Sequence, residues 1–432
     1  MENGCYVLIL IHTSDLHLVP SNLQGTILEN AYYEVLEEIS EVVLNEQSRY
    51  LLISGDFFDD YRVHYDILIR VSKQLKKLRD NGVRLVVSPG NHDLARNRDG
   101  VLDLLSSLGL MYLTMFEEAK GWLILDPLVF DDDEIVFYGV PGFRGSSNKE
   151  VEYLKQGTTL FKDSSMYKDY YVVVLAHIQT RFHGYDPSKH SWRYGSLYLE
   201  YEDFLRRMPA NTRYIALGHL HLPIPYDESF RSKAAYPGAP IGIDLNDFHD
   251  TCELVSKGVH RGVLRVDLAS DPPLLKTIRL EHAPKAYCTT IQTDSLEDAR
   301  TQVKKIVKDM ELGEYIILVV EVESKRLTAS DIARLNYELN KEFRDKRVYV
   351  RLSLHGVIEE PEYPLIRVDI EAVSNFSIDE LELKVIQEYV SKKKPGLSAE
   401  KIQWVINYLG RDLGQLSEKH IRDLLREMGG GD

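Results

Sequence analysis

Five short segments, each at the end of an apolar, β-branched run, supply an aspartate, asparagine or histidine. These segments are residues 13–17, 51–60, 89–93, 175–177 and 217–221. The side chains in them that could do chemistry are Asp15, His17, Asp56, Asn91, His92, His177, His219 and His221. Carboxylate, imidazole and amide groups without sulfur suit manganese, iron or zinc ions. The five segments together therefore predict a site for divalent metal ions.

Asp56 is the residue around which the other candidates can be arranged. It follows the apolar run at 51–53, and Gly55 lets the backbone turn where a Cβ would clash. In open α/β sheets, functional groups gather outside the carboxyl ends of the strands. Because a carboxylate has two oxygens, Asp56 can be shared between two metal ions. One predicted four-ligand site is Asp15, His17, Asp56 and His221. The other is Asp56, Asn91, His177 and His219.

Two pairs of candidate ligands are spaced two residues apart. They are Asp15 with His17 and His219 with His221. In an extended backbone this spacing projects both side chains to the same face. The pattern therefore predicts extended segments whose paired side chains can grip one metal ion.

The chemistry expected of such a site is phosphoryl displacement. Two cations roughly 3.5–4 Å apart lower the pKa of a bridging water and clamp the attacking and leaving oxygens. His92 follows the ligand Asn91, so its predicted role is to protonate the leaving oxygen or to steady the charge on phosphorus, with Asp93 orienting it. The other histidines are interpreted as core or surface residues, although the polar loop that holds His183 and His190 could reach a substrate. They are His12, His64, His183, His190, His249, His260, His282, His355 and His420.

The candidate ligands must be positioned by strands that alternate with amphipathic helices over about the first 280 residues. Helices are predicted at 28–45, 64–81 and 101–108 from apolar spacing and terminal glycines. Alternating βαβ units imply a layered sheet flanked by helices. Later strands are predicted at 123–125, 135–138, 234–236, 262–266 and 274–280. This balance predicts an α/β protein whose core is a two-sheet α/β sandwich.

The length of 432 residues exceeds one ordinary domain, and three parts are predicted. Residues 1–282 hold every candidate ligand. Residues 283–360 have the order β-α-β-α-β without ligands at strand ends, so they are predicted to form a small α/β domain. Their basic stretch at 341–351 could face a polyanion or be a solvated surface. Residues 361–432 are a linker and C-terminal helices with apolar residues at helical spacing, which are Ile402, Val405, Ile406, Leu409, Ile421, Leu424, Leu425 and Met428.

Composition limits the class of protein. The longest apolar runs, such as 108–116, fall short of the roughly 20 residues that span a bilayer, so no membrane segment is expected. The net charge of -15 argues mildly against a protein that coats nucleic acid. The three cysteines, Cys5, Cys252 and Cys288, are far apart and odd in number. They predict neither a disulfide framework nor a cysteine zinc site, and they favour a reducing cytoplasm.

The ordered motifs DxH, GDxxD, GNHD, H and GHxH, carried by the segments above, resemble the calcineurin-like metallophosphoesterase superfamily. The order of domains is similar to that of the DNA-repair nuclease family of Mre-eleven and bacterial SbcD, as are residues 14–18 and 236–240. This resemblance implies a metal-dependent DNA nuclease of double-strand-break repair that uses two divalent ions, with manganese expected. It also implies that 283–360 caps the site and positions DNA, that the C-terminal helices bind an SMC-like ABC ATPase, and that the chain forms a homodimer.

Two positions depart from that family's pattern. Archaeal and eukaryotic members carry histidine three residues after the bridging aspartate, where this chain has Asp59. Members also follow DxHL with glycine, where this chain has Val19. The balance of exonuclease and endonuclease activity is therefore open. Two other functions also stay open, a phosphodiesterase for small substrates and a non-catalytic scaffold that keeps the fold.

Overall fold

The fold comes from a computed structural model, which describes residues 8–94, 100–144 and 148–355. The chain divides into two units, residues 1–357 and 358–432, and the second lies outside the described residues. The C-terminal helices expected from the sequence lie there as well. The division at 282 and 360 stays a prediction.

Strands and helices alternate along the described residues, as the apolar spacing predicts. In chain order the strands are β1 (Ile9–Thr13), β2 (Tyr50–Ser54), β3 (Arg84–Ser88), β4 (Tyr112–Leu113), β5 (Phe116–Ala119), β6 (Trp122–Leu125), β7 (Leu128–Phe130), β8 (Ile135–Val140), β9 (Thr159–Phe161), β10 (Tyr171–His177), β11 (Thr180–Arg181), β12 (Leu199–Glu200), β13 (Thr212–Gly218), β14 (Ser229–Arg231), β15 (Ala234–Ala235), β16 (Gly262–Asp267), β17 (Leu274–Arg279), β18 (Lys285–Gln292), β19 (Ile316–Glu323) and β20 (Val348–His355). The α-helices are α1 (Ile27–Asn45), α2 (Tyr65–Asp80), α3 (Val101–Ser107), α4 (Lys149–Gln156), α5 (Ser191–Tyr194), α6 (Tyr201–Arg207), α7 (Leu245–Ser256), α8 (Leu296–Lys308) and α9 (Ala329–Glu342).

Two large sheets form the centre of the fold. The first has the strand order β14-β17-β16-β1-β2-β3-β4, and β1 to β4 run parallel. The second has the order β15-β13-β10-β8-β7, and β8, β10, β13 and β15 run parallel. Three smaller sheets are formed by β5-β6-β9, β11-β12 and β18-β19-β20. In both large sheets the parallel strands carry the residues expected to do the chemistry at their carboxyl ends.

The two large sheets pack face to face. Leu52 of β2 lies in one buried cluster with Val173 of β10, between the sheets. The next residue, Ile53, points to the opposite face and packs with helices α1 and α2, while Val174 packs among residues of α4 and α6. Successive residues of a strand face opposite sides of the sheet, so these continuous apolar runs are buried on both faces. The prediction of a two-sheet α/β sandwich is confirmed.

Residues 285–355 form the β-α-β-α-β unit expected from the sequence. Strands β18, β19 and β20 are parallel, and α8 and α9 cover one face of their sheet. Its other face contributes Ala286, Val319 and Tyr349 to the buried cluster that includes α1 and α7. This unit therefore packs against the helices of the two-sheet core.

A disulfide joins this unit to the core. Cys252 of α7 and Cys288 of β18 are bonded, with their Cα atoms 5.9 Å apart. The prediction that the cysteines form no disulfide is wrong. The two residues meet only because α7 docks against β18, a contact that their spacing of 36 residues does not reveal. None of the helices within the described ranges has the length and apolar character that crossing a bilayer requires.

Candidate metal centre

The carboxyl ends of the parallel strands of both sheets meet at one edge of the sandwich. Asp15 follows β1, Asp56 follows β2 and Asn91 follows β3, all in the first sheet. His177 is the last residue of β10, and His219 directly follows β13, both in the second sheet. The candidate ligands of two separate sheets are thereby brought together, as the positions at strand ends predict.

The backbone at this edge is turned, not extended. Asp15, His17, Asp56 and His219 have φ angles of 52°, 39°, 51° and 91°, a left-handed conformation that residues other than glycine rarely adopt. The prediction that the ligand pairs lie on extended backbone is therefore wrong. The turns are held by main-chain bonds, since Asp15 N donates to Gly55 O at 3.0 Å and His17 N donates to Asp56 O at 2.9 Å.

Two glycines let the ligands approach the backbone closely. A Cβ on Gly55, whose φ is 88°, would lie 2.0 Å from Nδ1 of His177. A Cβ on Gly90 would lie 2.1 Å from Oδ1 of Asp56. Neither position can accept a side chain unless a candidate ligand moves.

Asp56 lies between the two predicted sites. Its Oδ2 is 3.2 Å from Nε2 of His177 and 3.5 Å from Nε2 of His17. On one side, His17 Nε2 lies 3.2 Å from His221 Nε2. On the other, His177 Nε2 lies 3.0 Å from Asn91 Oδ1. The Asp56 carboxylate therefore contacts an imidazole of each predicted site.

The remaining candidates close the cluster. His219 Nδ1 is 3.3 Å from His177 Nε2, and Asp15 Oδ1 is 3.9 Å from His221 Nε2. Three groups of residues overlap here, and within each group the possible ligand atoms all lie within 4.8 Å of one another. These groups are Asp15 with His17 and His221, His17 with Asp56 and His92, and Asp15 with Asp56 and His177.

The cluster buries groups of opposite charge. Burial raises the pKa of Asp15. Burial alone would also raise the pKa of Asp56. The neighbouring His177 and His17 have a larger opposite effect, and they hold the pKa of Asp56 well below its ordinary value. Burial lowers the pKa of His177, yet the Asp56 carboxylate raises it to about 10 overall. Two carboxylates, four imidazoles and an amide oxygen without sulfur form a donor set that fits divalent cations.

Main-chain oxygens hold two of the imidazoles from behind. His177 Nδ1 lies 2.9 Å from the carbonyl oxygen of Ser54. His219 Nε2 lies 3.4 Å from the carbonyl oxygen of Tyr194, at the end of α5. These contacts direct Nε2 of His177 and Nδ1 of His219 towards the cluster, so the two imidazoles present different nitrogens.

Carboxylates stand behind the other two imidazoles. Asp59 Oδ1 lies 3.3 Å from His17 Nδ1, and Asp247 Oδ2 lies 2.9 Å from His221 Nδ1. Burial would raise the pKa of Asp59, but its contact with His17 holds that pKa below the ordinary value. Groups of this kind orient histidine ligands in metal sites.

His92 stands at the mouth of the cluster, with its side chain 37% exposed. Its Nδ1 lies 2.7 Å from the carbonyl oxygen of Asp59, so Nε2 is the ring nitrogen that this contact does not use. The expectation that Asp93 orients His92 is wrong. The buried Asp93 carboxylate instead accepts main-chain N–H bonds from Phe57 at 3.1 Å, Phe58 at 3.0 Å and Gly90 at 2.9 Å, and so ties two ligand loops together.

In the loop after His177, the residue that contacts the candidate ligands is not one that the sequence pattern indicated. His183 and His190 line a separate cleft of about 790 Å³, not the ligand cluster. Tyr194 lies against the ligands instead, with its ring centroid 5.4 Å from that of His219. Tyr194 and Asp247 carry no local motif, and only the docking of α5 and α7 reveals their contacts.

The core thus consists of two facing sheets with carboxylate and imidazole side chains grouped at their common edge. Residues 9–223 match the family described as calcineurin-like phosphoesterase. This part of the chain is a domain of the calcineurin-like metallophosphoesterases. Membership and the candidate ligand groups indicate that the chain uses divalent metal ions.

Relatives with curated names are similar to this chain at low identity. The DNA double-strand break repair protein Mre11 of Methanopyrus kandleri is 24% identical over 256 residues, which are 58% of this chain and 52% of that protein. The protein of the same name from Saccharolobus solfataricus is 23% identical over 340 residues, 76% of this chain and 79% of that protein. The SbcD component of the nuclease SbcCD of Bacillus subtilis is 24% identical over 262 residues, 55% of this chain and 63% of that protein. The resemblance to Mre-eleven and SbcD is confirmed, although the chain spans only about half the length of the first of these relatives.

Proposed function

We propose that this protein is a metal-dependent DNA nuclease that hydrolyses phosphodiester bonds in double-strand-break repair. The observation that carries the proposal is Asp56, whose carboxylate lies between His17 and His177 at distances that suit a ligand shared by two cations. The names of the relatives, which are double-strand break repair proteins and a component of a nuclease, support DNA as the substrate.

The proposed reaction divides the work among the residues of this chain. Asp15, His17, Asp56 and His221 hold one divalent cation, and Asp56, Asn91, His177 and His219 hold the other. When bound, the two ions lower the pKa of a water molecule and neutralise the phosphate oxygens. His92 donates a proton from Nε2 to the leaving oxygen, since its Nδ1 is occupied by the Asp59 carbonyl oxygen.

Manganese is the cation that we propose for both sites. The donor set mixes hard carboxylate and amide oxygens with imidazole nitrogens, and each group is within the range that manganese accepts. His92 is not required for this binding. Because the proposed reaction needs the bound metal, removal of the metal with a chelator should stop cleavage, and added Mn²⁺ should restore it.

The parts outside the catalytic core have proposed roles as well. We propose that residues 283–360 position DNA and that the C-terminal helices of 361–432 bind an SMC-like ABC ATPase. The name of the Bacillus subtilis relative describes it as one component of a nuclease complex, which supports a partner of this kind. We also propose that the chain forms a homodimer and that it is located in the cytoplasm.

The test compares three substrates with the purified full-length chain. We expect Mn²⁺-dependent cleavage of single-stranded and duplex DNA that exceeds hydrolysis of bis(4-nitrophenyl) phosphate, and none by Asp56→Ala. Cleavage of the chromogenic diester alone would favour the small-substrate phosphodiesterase. No cleavage of any substrate by a chain that binds Mn²⁺ would favour the non-catalytic scaffold.

A further inference from the structure

Asp247 is a buried carboxylate that touches a proposed metal ligand and has no part in the reaction described above. It lies in the first turn of α7, and its side chain is fully buried. Its Oδ2 and Oδ1 lie 2.9 Å and 3.1 Å from Nδ1 of His221. The other ring nitrogen, Nε2 of His221, faces the cluster and lies 3.2 Å from Nε2 of His17. The imidazole therefore stands between Asp247 and the other ligands.

Two arginines fix the carboxylate and the imidazole relative to each other. Arg193 donates from Nη2 to Oδ1 of Asp247. Arg261 is buried and donates from Nη1 to the carbonyl oxygen of His221 at 2.6 Å. The main-chain N–H of Ile243 donates to Oδ2 of Asp247 at 2.9 Å. Because both carboxylate oxygens of Asp247 accept these further hydrogen bonds, the carboxylate is held against the imidazole of His221.

Helix capping does not account for this buried carboxylate. Asp244 caps α7, since its side chain accepts the N–H of Asp247 at 2.9 Å. Arg193 has a second partner in Asp250 at 2.8 Å, nearer the surface. Both oxygens of Asp247 accept hydrogen bonds, Oδ1 from Arg193 and Oδ2 from the N–H of Ile243, which is the bonding pattern of an ionised carboxylate.

We propose that Asp247 is a positioning residue for the metal centre, which accepts the Nδ1 proton of His221 and so fixes the tautomer that presents Nε2 to the cation. This inference rests on the proposed function, whose cation it orients a ligand towards. A carboxylate behind a histidine ligand sets the ring orientation and increases the basicity of the coordinating nitrogen. Asp247 supplies both effects from a helix that provides no ligand of its own.

The test measures Mn²⁺ binding by full-length Asp247→Asn with isothermal titration calorimetry. Asparagine keeps the size of the side chain but replaces the charged acceptor with a weaker one. We expect the dissociation constant of one Mn²⁺ site to rise about 10–100-fold. The Mn²⁺ concentration needed for half-maximal diester cleavage should rise in parallel, and excess Mn²⁺ should restore most of the turnover. Thermal unfolding checks that the variant is folded.

Asp250→Asn is the matched control. It changes the same residue type in the same helix, and it also removes a partner of Arg193, but Asp250 is not bonded to His221. Its Mn²⁺ affinity should equal that of the wild type. Unchanged Mn²⁺ binding in folded Asp247→Asn, or an equal loss in both variants, would overturn the inference alone. A wild-type chain that binds no Mn²⁺ would overturn the proposed function together with it.

A second measurement determines the tautomer of His221 in the wild-type chain. In the wild-type chain with ¹⁵N-labelled histidine, the His221 signals are assigned by their loss in His221→Asn. Zn²⁺ replaces Mn²⁺ because it is diamagnetic. We expect a protonated Nδ1 and a metal-shifted Nε2. A proton on Nε2 would show that the imidazole binds through its other nitrogen, and the positioning role would be withdrawn.

Discussion

Asp59 Oδ1 lies 3.3 Å from Nδ1 of His17, the nitrogen that faces away from the ligand cluster. The same residue holds Nδ1 of His92 at 2.7 Å with its main-chain oxygen. One residue therefore supports both a proposed metal ligand and the proposed proton donor. The Asp59 carboxylate therefore has a structural task at this site.

Asp59→His should raise exonuclease activity relative to endonuclease activity, because the imidazole can donate a hydrogen bond to a substrate phosphate that a carboxylate repels. It should also weaken Mn²⁺ binding, because His17 loses its carboxylate partner. Product laddering from an end-labelled duplex, beside nicking of a circular single strand, measures the ratio. Asp59→Asn separates the two effects, since it removes the charge without adding a donor imidazole. An unchanged ratio in Asp59→His would show that this residue does not set the balance.

Asp56→Ala should abolish both metal binding and hydrolysis. The substitution removes a carboxylate that lies within 3.5 Å of both His17 and His177, so both proposed sites lose a ligand. Elemental analysis of the purified variant gives the metal content per chain. Asp80→Ala, an exposed aspartate at the end of α2, is the control and should keep wild-type content. Two metal ions per chain in Asp56→Ala would remove Asp56 from its bridging role.

His92→Asn should keep the metals and DNA binding but reduce turnover by about 10²–10⁴-fold, the usual cost of a lost general acid. The residue is half-exposed, and its removal leaves every proposed ligand in place. Single-turnover cleavage at saturating Mn²⁺ measures the loss. His64→Asn changes an exposed histidine just before α2 and should have no effect. Turnover near that of the wild type in His92→Asn would require another acid.

The proposed ligands could be proposed from the sequence because each one lies in a segment at the end of an apolar run, which is a local pattern. Asp15, Asp56 and Asn91 follow three neighbouring parallel strands, so strand prediction alone brings them to one edge. The order of strands and helices in residues 285–355 was predictable as well, since apolar periodicity switches sharply between strand and helix. What could not be predicted is the left-handed backbone at Asp15 and Asp56, because bonds between two separate loops impose it.

The groups behind the ligands belong to contacts without a local signal. Asp247 begins a helix with an ordinary capping pattern, and only the docking of α7 places its carboxylate at His221. Tyr194 contacts His219 through its main-chain carbonyl oxygen. Every residue type has this atom, so the sequence carries no signal for the contact. The disulfide depends on the same docking, because α7 carries Cys252 on the side that meets β18.

A chain that ends at residue 396 should remain folded and hydrolyse bis(4-nitrophenyl) phosphate like the full-length protein. Every proposed ligand lies within residues 15–221, so the truncation removes none. It should lose capture of an SMC-like ABC ATPase in a pull-down. Full-length Asp56→Ala is the control, since it should lose hydrolysis and keep the partner. Undiminished capture by the truncated chain would assign the partner's binding surface to the core or to residues 283–360.

Reduction of the disulfide should destabilise the protein without disturbing the metal centre. Cys252 and Cys288 close a loop across 36 residues and join α7 to the sheet of β18, so the bond restricts the unfolded chain. We expect Cys252→Ser to lower the free energy of unfolding by about 2–4 kcal/mol. Urea unfolding measures this loss.

Two comparisons make the result specific to this bond. Cys5→Ser removes the cysteine that has no part in the pair and should leave the urea midpoint unchanged. Wild type in excess reductant should match Cys252→Ser, because both lack the covalent link. Mn²⁺ affinity should stay constant throughout, since Asp247 is held by Arg193 and Ile243 and not by the disulfide. Equal urea midpoints for oxidised and reduced wild type would show that the docking of α7 on β18 needs no covalent support.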